Sequence, residues 1–401
     1  MTRAELHADY LVKLCAAAIH EREVPMPSFE LDSLLLVKLI SAHHLSGLLY
    51  PVLKDSSVLC EESLEILRLD FRTDQMRDVS QDDALDEITE AFVQNNIQFV
   101  VLKGIVLKRF YNKSFHRMMG DLDLLVRESD RANARAVMES LGFTTESYDQ
   151  LYDDVYYRRP FLNVEVHVKL GNDEDAAHPY FSEVWNRVVP DPCCKNRFCM
   201  SPEDYYLYFI QHAVKHCKHH GTGIRTLIDF WYVRKKFLPT LNRSEVNAQL
   251  EKFQNLQFEK EFYDLCDVWF DGKIGDSFQT KDMLHFLVLN SGLYGNFSNT
   301  MFHRVMNDAD VEKSHAKKRS LFLRNIFPTK ERMAAKYPIL NRAPFLLPIC
   351  WLIRAVKTLF APKKIKTEMR LYSDVTNGLE LHTKLYSRFG FFTSSDSEGQ
   401  S

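Results

Sequence analysis

From Glu61 to Asn95 the chain runs without a glycine or a proline. Through this stretch Leu64, Leu67, Phe71, Ile88, Phe92 and Val93 recur at the spacing of one helical face. The pattern then changes within a few residues. Ile97–Leu102 is short, apolar and β-branched, which predicts a strand ended by Lys103-Gly104. A long amphipathic helix feeding directly into a buried strand needs a sheet to lie on, and this junction constrains the fold more than any other feature of the sequence.

The same reading extends in both directions. Ala4–Ile19 and Leu31–Leu53 have helical spacing. Beyond Gly104, a helical period over Ile105–Tyr111 precedes a strand at Asp121–Val126. A helix at Glu128–Leu141 is closed by Gly142, and two strands follow at Tyr152–Tyr157 and Phe161–Leu170. Ser201-Pro202-Glu203-Asp204 has the chemistry of a helix start: a capping hydroxyl, a proline for the first turn and two acids facing the dipole. That helix is predicted to reach His219, where Gly221-Thr222-Gly223 breaks it. A second covers Ile224–Lys236, and 243–325 reads as helical. The fold class is therefore α+β: a core over residues 91–200, an N-terminal helical region over 1–90, a helical domain closing the cleft over 201–325, and a basic, partly apolar segment with a polar tail over 326–401.

Composition excludes several classes. Of 401 residues, 45% are hydrophobic and 26% charged, a globular mix that rules out bulk disorder. No run of eighteen mainly apolar residues predicts a membrane span, and Met1–Leu6 does not open like a secretory leader. Eight cysteines in a chain of this length read as reduced thiols of a cytoplasmic protein. The net charge of −3 conceals a basic block: Lys313–Arg370 carries 15 Lys and Arg against Glu331 and Glu368. Within it, Ala343–Ala361 is apolar apart from Arg354 and Lys357. The favoured reading packs this segment on the body. The alternative is peripheral contact with an anionic inner membrane face through 343–370, and no nucleic-acid partner is expected.

The densest chemical signal is Gly120-Asp121-Leu122-Asp123. Residues two apart on a strand share a face, so Asp121 and Asp123 present paired carboxylates. Such a pair suits Mg²⁺ or Mn²⁺, which take oxygen ligands and leave positions for substrate phosphates. Strict alternation over Phe161–Leu170 puts Asn163, Glu165, His167 and Lys169 on one face, so Glu165 is the expected third carboxylate of a phosphoryl- or nucleotidyl-transfer centre. Lys103 and Gly104 stand where a strand meets a helix, a place suited to phosphate, with Lys108, Lys113 and Arg117 nearby in sequence. The spacing of His212, His216, His219 and His220 matches no zinc pattern. Arg225, four residues before Asp229, either bridges it or reaches a triphosphate.

These segments together resemble a known family. Val101-Leu102-Lys103-Gly104, His116-Arg117, Gly120 to Val126, Leu141-Gly142-Phe143 and Val164-Glu165-Val166-His167 look like the bacterial uncharacterised nucleotidyltransferase family, of the DNA-polymerase-beta-like nucleotidyltransferase superfamily. The resemblance continues at His212 to His216, Arg225 to Asp229, Tyr337-Pro338 and Pro348 to Arg354, spanning roughly residues 80–360. It implies a nucleotidyltransferase-type mixed β-sheet core flanked by N- and C-terminal helical regions. It implies Asp121 and Asp123 as metal ligands with Glu165 as the third, Gly104 at the nucleotide phosphates, and His216 or His212 lining the cleft. Ile105 is a departure, because the wider superfamily usually has Gly or Ser directly after the phosphate-loop glycine.

The expected activity is metal-dependent transfer of an NMP group from an NTP to an acceptor, a small molecule, glycan or protein, with release of pyrophosphate. Asp121, Asp123 and Glu165 are the expected catalytic and metal-binding residues. Lys103, Gly104, Arg117, Gly120, His216 and Arg225 are the expected nucleotide-binding set. The alternatives are a non-catalytic nucleotide-binding or scaffold subunit on the same fold, and a protein-nucleotidylating enzyme of toxin–antitoxin type.

Overall fold

The structure is a computed structural model. It describes residues 1–147, 153–171, 175–219, 221–274, 277–289, 333, 344–348, 350–351 and 384–391. The chain divides into two compact units, Met1–Cys217 with Gly221–Gly295 and Lys218–His220 with Asn296–Ser401. The first unit holds the helical region expected over 1–90, the core expected over 91–200 and most of the described part of the helical domain expected over 201–325, of which residues 290–325 lie outside the described residues.

That unit opens with α1 (Arg3–Ile19), α2 (Ser33–Ala42), α3 (Ser46–Leu53) and the long α4 (Glu61–Gln94). The single helix read over Leu31–Leu53 is two, because His44 takes a left-handed φ of 50° between them. Helix α4 ends where the sequence changes period. Asn96 turns left-handed, its N–H donates to Val93 O, and Ile97 N–H donates to Phe92 O at 2.9 Å. This reversal buries Phe92 and Ile97 in the core and aims the chain into β1 (Phe99–Val101). Helix α6 (Arg131–Ser140) ends the same way, with Gly142 at φ 78° and Phe143 N–H donating to Met138 O.

Helix α5 (Lys103–Lys108) follows β1, then β2 (Leu122–Val126) and α6. Strands β3 (Thr144–Ser147), β4 (Asp153–Arg158) and β5 (Leu162–His167) come next, then α7 (His178–Phe181), β6 (Val189–Pro190) and β7 (Arg197–Cys199). One mixed seven-stranded sheet results, in the order β3-β4-β5-β2-β1-β7-β6. Strand β2 is antiparallel to β1 and parallel to β5, and β1 is parallel to β7. The apolar residues of β2 and β5, Leu122, Leu124, Val126, Val164 and Val166, are buried with Ala84, Ile88 and Phe92 of α4 and with Ala134 and Met138 of α6. The intervening residues of both strands face the other way and are left for chemistry.

Over that other face runs α8 (Pro202–His219), whose Tyr205 hydroxyl donates to Lys103 O. Ser201 caps it, its hydroxyl accepting from Asp204 N–H at 3.0 Å. Helices α9 (Ile224–Phe237), α10 (Arg243–Lys252), α11 (Leu256–Trp269) and α12 (Ser277–Leu284) complete the unit, with a π-helical turn at His285–Leu289.

In the second unit Met333 and Cys350 are buried together, with Leu346, Leu347 and Trp351 against them. Otherwise the basic block and the apolar stretch within it lie outside the described residues. Among the described residues no helix is long and apolar enough to cross a membrane.

The segment leading into β2 is held from the N-terminal side at Gly47 of α3. A Cβ built on Gly47 would stand 1.9 Å from the carbonyl oxygen of Phe115. Alanine normally stabilises a helix interior relative to glycine. Here Gly47→Ala forces backbone apart, and urea unfolding is expected to show a loss of about 1–3 kcal/mol. An unchanged or raised midpoint would mean that α3 does not approach Phe115 so closely.

Candidate active site

Strand pairing sets the centre of the site. Asp123 of β2 stands directly across from Glu165 of the parallel strand β5, and Leu125 across from His167. The side chains of Asp123, Glu165 and His167 therefore share one face of the sheet. Each offers a ligand atom, and these atoms all lie within 4.8 Å of one another. His167 Nε2 is 2.9 Å from Asp123 Oδ1 and 3.7 Å from Glu165 Oε2. Lys103, from the start of α5, brings its ammonium to 3.5 Å from the same Asp123 oxygen.

Asp123 is only 2% exposed. Its second oxygen, Oδ2, is buried with no hydrogen-bond partner among the described residues. An unmatched carboxylate oxygen in this setting is costly. Burial alone would raise the Asp123 pKa, but Lys103 and then His167 outweigh it and hold the carboxyl down at about 2. Glu165 goes the other way, to about 7, raised by burial and then by the carboxylates of Asp123 and Asp121. Asp121 is also raised, by burial first and Asp123 second. Burial opposes the charge on Lys103, but Asp123, ahead of Tyr208, Asp121 and Glu165, more than offsets it. Three carboxylates crowd one lysine, a charge balance that a divalent cation would correct. Two carboxylates, one of them with the orphaned Asp123 oxygen, and an imidazole make a donor set that fits such an ion.

The pocket containing Asp123 is lined by Lys103, Gly104, Leu107, Arg117, Met119, Gly120 and Asp121 from the sheet side. From α8 come Phe209, His212, Ala213 and His216, and from α9 and its approach Thr222, Arg225, Thr226 and Asp229. All six residues expected to bind nucleotide thus reach one pocket, along with Asp121 and Asp123. The close ligand group comprises Asp123, Glu165 and His167, and Asp121 lies in the pocket outside that group.

The expected residues differ in how they are engaged. Arg117 is 7% exposed and grips Asp229, with Nε 2.7 Å from Oδ1 and Nη2 2.9 Å from Oδ2. Asp229 therefore pairs with Arg117, whereas Arg225 donates through Nη1 to the Met118 carbonyl. Lys108, near Gly104 in sequence, is turned away to Asp78 and Asp82 of α4. His216 Nε2 lies 2.8 Å from His212 Nε2, which in turn contacts Lys103 Nζ. Burial, then Lys103, pushes His212 well below the usual imidazole range, so it is neutral.

His167 was absent from the expected site set, although the alternation of Phe161–Leu170 had placed it on the face of Glu165. His212 stands one turn before His216 on the same helical face. Both signals were present in the sequence, as a strand period of two and a helical spacing of four.

Residues 30–271 match the family model described as "Uncharacterised nucleotidyltransferase", more than half of the chain, and the chain belongs to this family. Among solved structures it is similar to the antibiotic-resistance factor ANT(2'')-Ia, at 14% identity over 47% of this chain and 96% of that one, with a TM-score of 0.27. None of the curated proteins matches it.

The geometry sets Asp123, Glu165 and His167 apart from Asp121. His167→Gln should weaken Mn²⁺ binding in the absence of nucleotide by about tenfold or more, and Asp123→Ala more still, by calorimetry or Mn²⁺ paramagnetic resonance. Asp121→Asn should change it by no more than about threefold. A larger loss from Asp121→Asn than from His167→Gln would contradict this arrangement.

Proposed function

We propose that this chain is a metal-dependent nucleotidyltransferase that moves an NMP group from an NTP to an acceptor hydroxyl. The observation that carries the reading is that Asp123, with one oxygen unpartnered among the described residues, groups with Glu165 and His167 and also lines the pocket that holds Lys103 and Arg225. Family membership supports the same class of chemistry.

Asp123, Glu165 and His167 would hold Mg²⁺ or Mn²⁺, with Asp121 beside them. When bound, the ion supplies positive charge at the α-phosphate and orients it. Lys103 and Arg225 bind the triphosphate, and Gly104, Gly120 and His216 shape the pocket around it. The acceptor oxygen attacks the α-phosphorus and forms a new P–O bond. The bond from that phosphorus to the oxygen bridging the β-phosphate breaks, and pyrophosphate departs with that oxygen. The acceptor proton passes to Glu165. Lys103 and Arg225 offset charge growing on the leaving group, an interaction that strengthens along the reaction.

The test is incubation with each α-labelled NTP, Mg²⁺ or Mn²⁺ and a metabolite extract, for the intact chain and Asp123→Asn. Label should move to an acceptor with stoichiometric pyrophosphate, and Asp123→Asn should lower the rate by about a thousandfold. Label retained on protein would identify a protein-nucleotidylating enzyme. A metal-dependent NTP shift in melting temperature with no transfer would identify a binding protein instead. Near-normal transfer by Asp123→Asn would refute the assignment of the site.

A further inference from the structure

The Lys103–Gly104 turn is gripped by its main chain at two successive carbonyls. The Tyr205 hydroxyl donates to Lys103 O at 3.0 Å, and Arg117 Nη1 donates to Gly104 O at 3.4 Å. Arg117 is in turn fixed by both oxygens of Asp229, and the Tyr111 hydroxyl donates to Asp229 Oδ1 at 2.7 Å. Tyr111, Arg117 and Asp229 are all buried, and burial followed by the Asp229 charge raises the Tyr111 pKa well above the usual phenol range, so its hydroxyl remains a donor. On its other side the turn packs against Met119, whose Sδ would stand 2.8 Å from a Cβ on Gly104.

We propose that Asp229 is a positioning residue for the nucleotide end of this site. It holds Arg117 so that the guanidinium carries the Gly104 carbonyl, and so fixes how the Lys103–Gly104 main chain is presented to a triphosphate. Arg117 then serves the nucleotide through the main chain rather than by direct contact. The inference rests on the nucleotide reading above. Buried, bidentate pairs of this kind fix geometry as well as charge, and a reacting group is only as well placed as the residues behind it. Nothing in the chain Tyr111–Asp229–Arg117 touches the Asp123, Glu165 and His167 ligand atoms, so the two halves of the site should respond separately.

The experiment measures two affinities on the full chain by calorimetry: Mn²⁺ alone, and each of ATP, GTP, CTP and UTP with Mg²⁺. Asp229→Asn should weaken the best-bound nucleotide by about tenfold and leave Mn²⁺ within about twofold. Tyr111→Phe removes one hydroxyl and should weaken nucleotide by about threefold, again without moving Mn²⁺. If Asp229→Asn does not fold, Tyr111→Phe decides. Variants that bind nucleotide as the parent does, or that lose Mn²⁺ and nucleotide in parallel, would overturn the proposal while leaving the nucleotide site standing. A parent chain that binds none of the four nucleotides would overturn the nucleotide reading and this inference with it.

Discussion

The charge on Asp123 is almost wholly buried at the wall of its pocket, and the surrounding structure is arranged to meet it. A buried carboxylate costs several kcal/mol unless cations and donors surround it. Here one oxygen takes His167 and faces Lys103, and the other is left without a partner among the described residues. Each compensating group arrives on a different element: His167 on β5, Lys103 at the start of α5, and His212 behind Lys103 on α8. Meeting that charge therefore requires the parallel pairing of β2 with β5, the turn after β1 and the helix above the sheet to form together.

The division of labour between the two sheet faces makes this affordable. On one face Leu122, Leu124, Val164 and Val166 pack beneath α4 and α6 and supply the apolar burial. On the other, the same two strands present Asp123, Glu165 and His167, an unfavourable concentration of polar groups that a rigid core can hold in place. A one-residue slip between β2 and β5 would exchange these faces, so register and chemistry are specified together.

Much of this was legible in the sequence, for identifiable reasons. The α4 helix and its turn into β1 follow from an uninterrupted helical period that ends at Asn95. The carboxylates of β2 and β5 follow from a period of two. What was missed lacked such a period. Strands β3, β6 and β7 are two to four residues long, too short to show alternation, and β7 acquires meaning only by pairing with β1. The break at His44 uses a left-handed residue that is neither Gly nor Asn. The pairing of Arg117 with Asp229, far apart in sequence, is a tertiary fact, whereas local spacing left Arg225 either to bridge Asp229 or to reach a triphosphate. His167 lay in plain view but reads as an ordinary wet-face residue until the register sets it against Asp123.

On the reading proposed above, Asp123 is the pivot of a cation site shared by β2 and β5. Anomalous diffraction from crystals soaked in Mn²⁺ and a non-hydrolysable NTP tests it most directly. The account predicts one strong peak about 2 Å from Asp123 Oδ2 and from the Glu165 carboxylate, with the triphosphate against Lys103 and Arg225. A peak elsewhere, with Asp123 Oδ2 still lacking a ligand, would contradict it.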